Sequence, residues 1–170
     1  SQGYTCPRAD STCFKPALPP GAIIEEDGQT RVNTWWPQTV ARAVGDPSPF
    51  LRHLRNLLPN DRDQSIMMAY MAGCVQYDGH KFQWAPLLQG GEGNGKTLLS
   101  RCVAQATGRR YVHWPKASKL AKQFNAWLIR KTFIGVEDIF VSDNNRDVIE
   151  ELKPMITGED LEIEAKCIDQ

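Results

Sequence analysis

The sequence predicts an α/β fold, a parallel sheet flanked by helices, on two observations. Short apolar runs alternate with stretches whose apolar residues recur at helical spacing through the second half of the chain. Between one such run, Ala85-Pro86-Leu87-Leu88, and one such stretch, Leu98, Leu99, Cys102, Val103 and Ala106, lies a glycine-rich loop, Gln89–Thr97, reading QGGEGNGKT. Strand, glycine loop and helix in that order let a backbone curl around an anion at the positive end of the helix.

Taken in order, residues 1–22 hold Pro7, Pro16, Pro19, Pro20 and Gly21 with little periodicity, so weak structure is expected, and residues 1–30 are assigned to an extended arm. Residues 31–80 form a helical lead-in. Trp35 and Trp36, ahead of Pro37, need apolar surroundings and read as a docking anchor; stacking on a nucleobase would require a basic groove beside them. From 47 to 77 the pattern is a helical hairpin. Phe50, Leu51, Leu54, Leu57 and Leu58 make one stripe, and Asp61 caps a second helix carrying Ile66, Met67, Tyr70, Met71, Cys74 and Val75, its Met-rich face read as core. Asp78-Gly79-His80 turns the chain.

Residues 81–170 read as the sheet-bearing core. After the apolar run 85–88, the loop and its helix, Gly108 ends the helix, and Arg110–Trp114 reads as a strand stopped by Pro115. Ser118 can cap a helix with Leu120, Phe124, Trp127 and Leu128. Thr132–Val136 is a short buried strand.

Bulk properties narrow the functional classes. Lys+Arg and Asp+Glu balance at 20 each in 170 residues, so nucleic acid could be attracted only by a local patch. No apolar run approaches membrane-spanning length and no signal pattern opens the chain, so a cytoplasmic protein is expected. The five cysteines, Cys6, Cys13, Cys74, Cys102 and Cys167, are odd in number and scattered, which argues against a disulfide scaffold; Cys6 and Cys13 lack the close spacing of a zinc hook.

The loop fits the pattern GxxxxGK(S/T) at Gly90, Gly95, Lys96 and Thr97. Only glycines let several N–H groups converge on a triphosphate, and the contacting set is expected to be Gly90, Gly91, Glu92, Gly93, Asn94, Gly95, Lys96, Thr97 and Leu98. ATP with Mg²⁺ is the expected ligand. Lys96 would reach the β- and γ-phosphates, and Thr97 would offer its hydroxyl to the metal. About forty residues later the strand 132–136 ends in Glu137-Asp138. Two acids at that strand end suit a metal ligand, Glu137, beside a group that activates water, Asp138, or the same two roles exchanged.

Together QGGEGNGKT, FIGVED and LKPMITGEDLEIEAK resemble the A, B and B′ motifs of superfamily 3 helicases, ring-forming AAA+ ATPases of viruses, phages and plasmids. Within them the chain most resembles the phage and poxvirus primase–helicases, through Asn33-Thr34-Trp35 with Pro37, the hairpin 47–77, the loop Gln89–Lys96 and Phe124-Asn125; the likeness covers roughly residues 30–170. The resemblance implies a P-loop ATPase fold of AAA+ type, DNA-stimulated ATP hydrolysis, assembly into a ring, most simply a hexamer, and action on single-stranded DNA in the replication of a phage or mobile element, hence in a bacterial host cytoplasm. It also implies a B′ β-hairpin lining the pore, with Lys153, Gly158, Asp160 and Lys166 at the pattern positions and Lys153 and Lys166 as DNA contacts. From the residues alone, Leu161, Ile163 and Ala165 alternate with Glu162, Glu164 and Lys166, a half-exposed acidic strand that does not itself predict DNA binding.

The family's next elements, a strand ending in a sensor Asn and then an arginine finger, are expected beyond residue 170; Asn144 and Asn145 sit too early and Arg146 lies on the wrong side of the B′ segment. The chain therefore looks like a piece of a longer protein, or one whose ordered part stops early; an upstream primase or primase–polymerase domain would fit the linker-like start. Two rivals remain at this point. A P-loop kinase or nucleotide-processing enzyme would need an arginine-rich lid, and a non-hydrolysing assembly or adaptor module would bind nucleotide without turning it over.

Overall fold

The computed structural model describes residues 8–38, 43–116, 120, 125–137, 139 and 146–158. The architecture is mixed α/β. A three-stranded sheet comes first: β1 (Ser11–Cys13), β2 (Ile23–Glu26) and β3 (Gln29–Asn33), in the order β1-β3-β2, with β1 parallel and β2 antiparallel to β3. Within the described part of residues 1–22 this puts β1 where weak structure is expected, and the sheet runs past the end of the arm assigned to 1–30. Its hairpin turns on Asp27-Gly28, both with positive φ (54° and 72°), the backbone that a two-residue turn between right-twisted strands requires.

Asn33 locks this sheet to the preceding loop. It is only 2% exposed; its Oδ1 accepts from Lys15 N (2.9 Å) and Trp35 N (3.2 Å), and its Nδ2 faces the carbonyls of Lys15 (2.9 Å), Leu18 (3.1 Å) and Pro19 (3.0 Å). A buried amide so completely paired fixes a proline-rich loop that has no ladder of its own.

The helical hairpin forms as expected, α1 (Ser48–Leu57) and α2 (Asp61–Gln76). The cap of α2 is Asn60 rather than Asp61. Asn60 has the extended backbone of a cap and accepts from Arg62 N at 2.8 Å, leaving Asp61 and Asp63 in the first turn, where their charge complements the helix dipole. The loop helix is α3 (Lys96–Thr107), closed by Gly108. A 3₁₀ turn over Arg109–Tyr111 leads into β4 (Val112–His113), which pairs in parallel with β5 (Phe133–Ile134), and an isolated parallel bridge between Lys116 and Glu137 carries the pairing past Pro115. The last described helix is α4 (Arg146–Thr157).

Other expectations are modified. The run 85–88 enters no ladder among the described residues; Pro86 has no N–H to donate. Trp127 and Leu128 lie in a 3₁₀ turn, Ala126–Leu128, instead of an α-helix, although Leu120 is fully buried (1%). Ser118 and Phe124 of that expected helix, Cys6, Cys167, Asn144, Asn145 and the strand 161–166 lie outside the described residues.

One apolar core joins the hairpin to the loop helix: Leu54, Met67, Met71, Leu99 and Val103 are buried together, with Phe50, Leu57, Leu58, Cys74, Leu88, Cys102 and Phe133 packed against them. The Met face of α2 is therefore core, as its pattern predicts, while Ile66 and Val75 at the margins of the stripe stay exposed. Leu88, immediately before the glycine loop, and Phe133 on β5 reach the same core, which fixes both segments relative to α3.

Candidate functional site: the glycine loop at the start of α3

Gly95 precedes α3 with φ +89°, a left-handed backbone, and Gly93 has φ +70°. A Cβ on Gly95 would stand 2.4 Å from His53 Cε1, so glycine is required there on two counts, conformation and space. His53, on α1, sets its Nε2 3.1 Å from Gly95 O; a carbonyl only accepts, so the ring donates at that nitrogen. The same carbonyl accepts from Leu98 N at 3.0 Å. Thus the hairpin holds the loop at its tightest point, a contact across 42 positions that no local pattern in the sequence announces.

Lys96 folds back over the loop. Its Nζ donates to Gly90 O (2.9 Å), Gly91 O (2.6 Å) and Asn94 Oδ1 (3.0 Å), which places the ammonium inside the curl made by Gly90–Gly95. Gly90, Gly91, Glu92, Gly93 and Asn94 are exposed, and among the described residues the N–H groups of Gly91, Gly93 and Gly95 find no protein acceptor. Unpaired donors beside an ammonium at a helix N-terminus are a donor set suited to a polyphosphate. Thr97, half-buried, makes no side-chain hydrogen bond among the described residues, whereas Leu98 is 46% exposed on the outer side of α3.

Helix and strand run antiparallel. The C-terminal end of α3 leads through Gly108 to the start of β4, and Thr132 N donates to Tyr111 O (2.8 Å), so the starts of β4 and β5 lie at that end. Farther along, Trp114 Nε1 donates to Ser100 Oγ at 3.1 Å, and a Cβ on Gly135 would meet Trp114 at 2.7 Å and Ser100 at 3.6 Å. From Thr107 back to Ser100 α3 rises about 10 Å, and from Thr132 to Gly135 the strand advances about 10 Å. Continued with ideal geometry, two further strand residues and one further helical turn, each about 6 Å, would bring Glu137 toward the end of α3 that carries Lys96 and Thr97. Glu137 is exposed, carried past β5 by its bridge to Lys116.

The remaining candidate residues are elsewhere or outside view. Asp138, Asp160 and Lys166 lie outside the described residues. Lys153 is on α4, exposed, with Nζ 2.6 Å from Glu150 Oε1. It thus sits on a helix and not on a hairpin strand. Among the described residues no three His, Cys, Asp or Glu side chains cluster as a metal cage. A divalent ion held by Thr97 and Glu137 would therefore depend on phosphate oxygens for the rest of its shell, the usual habit of Mg²⁺.

Two hollows adjoin these elements. A small one of about 80 Å³ beside Lys96 is lined by Leu57, Leu58, Leu87 and Leu88. A wide cleft of about 1020 Å³ lies at the opposite end of α3, between Trp35, Tyr77–Lys81 and Thr107; Trp35 Nε1 and Asp78 Oδ1 are buried without a partner among its walls. The wide cleft is remote from the loop chemistry. Trp35 is half-buried in its wall, which agrees with a docking role, while Trp36 is 59% exposed.

A family of unknown function, DUF5906, matches residues 88–170, from the loop onward. Among solved structures, the apo structure of the NrS-1 C-terminal region (305–718) is similar at 24% identity with a TM-score of 0.72, over 91% of this chain and 38% of that one. The A form apo structure of the same region is similar at 23% identity with a TM-score of 0.67, over 91% of this chain and 37% of that one. These likenesses establish a shared mixed α/β fold, and the chain spans less than two-fifths of the solved chains it matches. No curated protein matches the chain. Among the described residues no helix is long and apolar enough to cross a membrane.

Proposed function

We propose that the chain belongs to an ATP-hydrolysing motor of the superfamily 3 helicase type, working as a ring, most simply a hexamer, on single-stranded DNA in the replication of a phage or related element. The observation that carries the nucleotide part is the loop: Lys96 Nζ sits on Gly90 O, Gly91 O and Asn94 Oδ1, behind a left-handed Gly95 at the head of α3. Unused N–H donors of the loop and the N-terminal amides of α3 supply the rest of an anion cradle. On this reading Lys96 exchanges its carbonyl partners for phosphate oxygens when ATP binds.

Magnesium, when bound with the nucleotide, neutralises charge on the phosphates and fixes their geometry. The protein's share is positioning. Thr97 and Glu137 would hold the metal, and Asp138 would orient the attacking water and take its proton. An arginine from a neighbouring subunit completes the charge neutralisation. The B′ lysine Lys166 touches DNA in the pore, and a primase or polymerase domain accompanies the motor in the full-length protein. The helicase assignment rests on the motif resemblance, and the shared fold with the NrS-1 C-terminal region supports it at the level of architecture.

The test separates binding from turnover. Lys96→Ala is expected to abolish ATP binding, whereas Asp138→Asn keeps binding within a few-fold and loses at least about 100-fold in turnover, the scale of one lost general base. Equal loss of binding in both variants would contradict the division of labour.

A further inference from the structure

The starts of β4 and β5, at the other end of the strands from the glycine loop, carry a feature that the proposed function does not use. Trp36 is 59% exposed, yet its backbone is clamped on both sides: Trp36 N donates to Tyr111 Oη (3.0 Å), and Trp36 O accepts from Tyr111 Oη (2.9 Å) and from the Arg110 guanidinium (2.6 Å). Tyr111 is itself buried, 6% exposed, with Phe14 packed on its ring at 5.4 Å and the Arg110 guanidinium 4.7 Å from its centroid. Three hydrogen bonds thus fix the backbone of a residue whose large apolar side chain is left in water. Core packing explains Tyr111 and leaves the Trp36 ring unexplained.

Cations lie on the two segments beside the clamped Trp36 backbone, Arg110 in contact with its carbonyl. Arg109 and Arg110 are exposed in the 3₁₀ turn before β4, and Arg130, also exposed, and Lys131 precede β5. The two segments are tied together, because Thr132 N donates to Tyr111 O (2.8 Å) and Lys131 Nζ donates to Arg110 O (2.6 Å). Among the described residues none of these four cations has a salt-bridge partner. In a chain with no net charge, four cations at one edge with no acidic partner among the described residues make a local positive patch.

We propose that Trp36, with Arg109, Arg110, Arg130 and Lys131, is a stacking platform for single-stranded nucleic acid on the outside of the core, separate from any pore contact. An exposed indole on a fixed backbone offers a face to an unstacked base, and the nearby cations neutralise phosphates beside it. A duplex presents no free base face and is held by charge alone. The platform needs no nucleotide, so it stands or falls separately from the ATPase reading.

The test is fluorescence anisotropy of labelled dT20, rU20 and a 20-base-pair duplex with the chain at low salt and without ATP. Trp36→Ala should weaken binding of the preferred single strand by about tenfold or more, the scale of one base stack. Trp36→Phe should restore most of it, and Trp36→Ala should leave MgATP binding and the thermal midpoint unchanged. The pair Arg109→Ala/Arg130→Ala should flatten the dependence of log K on log salt by roughly 0.7 for each phosphate that the variant no longer neutralises. Tighter binding of dT20 or of rU20 supports the platform and assigns the polymer. The proposal is overturned if no oligonucleotide binds, if the duplex or poly-glutamate binds as tightly as the single strands, or if Trp36→Ala and the arginine pair bind like wild type while Lys166→Ala does not.

Discussion

At the residue scale, two positions, Asn33 and Gly95, hold the chain in shape through packing partners that the sequence did not show. In the sequence Asn33 stands only as part of a motif, and in the structure it is a buried staple facing three carbonyls. Asn33→Asp exchanges those donors for a carboxylate pointed at carbonyl oxygens. The expected cost is at least about 3 kcal/mol at pH 7, the sum of several unmet partners around a buried charge. Burial and three facing carbonyl oxygens outweigh the two N–H donors at Oδ1 and raise the carboxyl's folded pKa above its unfolded value, so the variant should recover stability as the pH falls and the group takes a proton. Thermal midpoints at pH 7 and pH 4 relative to wild type would check this, and a penalty independent of pH would contradict it. Gly95 is the second case. Its motif position was legible, but the His53 ring against it was not, because contacts between distant segments leave no periodic trace. Gly95→Ala should lower the thermal midpoint and nucleotide affinity together. In a double-mutant cycle with His53→Ala, removing the ring should return part of the stability, a coupling of about 0.5–3 kcal/mol; strict additivity would mean that the two do not compete for space.

At the scale of elements, periodicity located α1, α2 and α3 well because each buries a stripe. It placed the faces less well. In α3 the pattern drew in Leu98, whereas the buried set is Leu99, Val103, Ala104 and Thr107. The reason is that α3 packs between α2 on one side and the parallel pair on the other, which selects a face the pattern alone leaves ambiguous. Leu99→Ala should therefore cost about 2–5 kcal/mol and Leu98→Ala less than about 1 kcal/mol, read from denaturant unfolding. Comparable losses would show that the helix faces otherwise. The N-terminal sheet escapes the pattern for a different reason: Pro and Gly density suggests a linker, although Asp27-Gly28 between two runs of strand-forming residues is a legible hairpin signal. The run before the glycine loop has the composition of a strand, and Pro86 keeps it out of the ladder among the described residues.

At the scale of the whole molecule, a single core ties the hairpin, the segment before the loop, α3 and β5 together. That continuity positions the candidate site. Leu88 anchors the entrance of the loop, His53 presses on its exit, and Ser100 and Trp114 hold α3 against Gly135, two residues before Glu137. The loop motif and the acidic strand end were both visible in the sequence, since each is a local pattern with a local chemical reason. Their relative placement required the fold. The two ends of the parallel pair also carry different residues, the glycine loop of α3 toward one and the cations beside Trp36 at the other. The likeness to the NrS-1 C-terminal region supports the architecture in which both ends are presented.

The central claim is that the glycine loop binds a nucleoside triphosphate through Lys96, and calorimetric titration of MgATP into the chain and into Lys96→Ala tests it most directly. The account predicts saturable one-to-one binding by the chain and none by the variant, with a matching rise in thermal midpoint for the chain alone. No binding by the chain, or the same affinity in both, would contradict it.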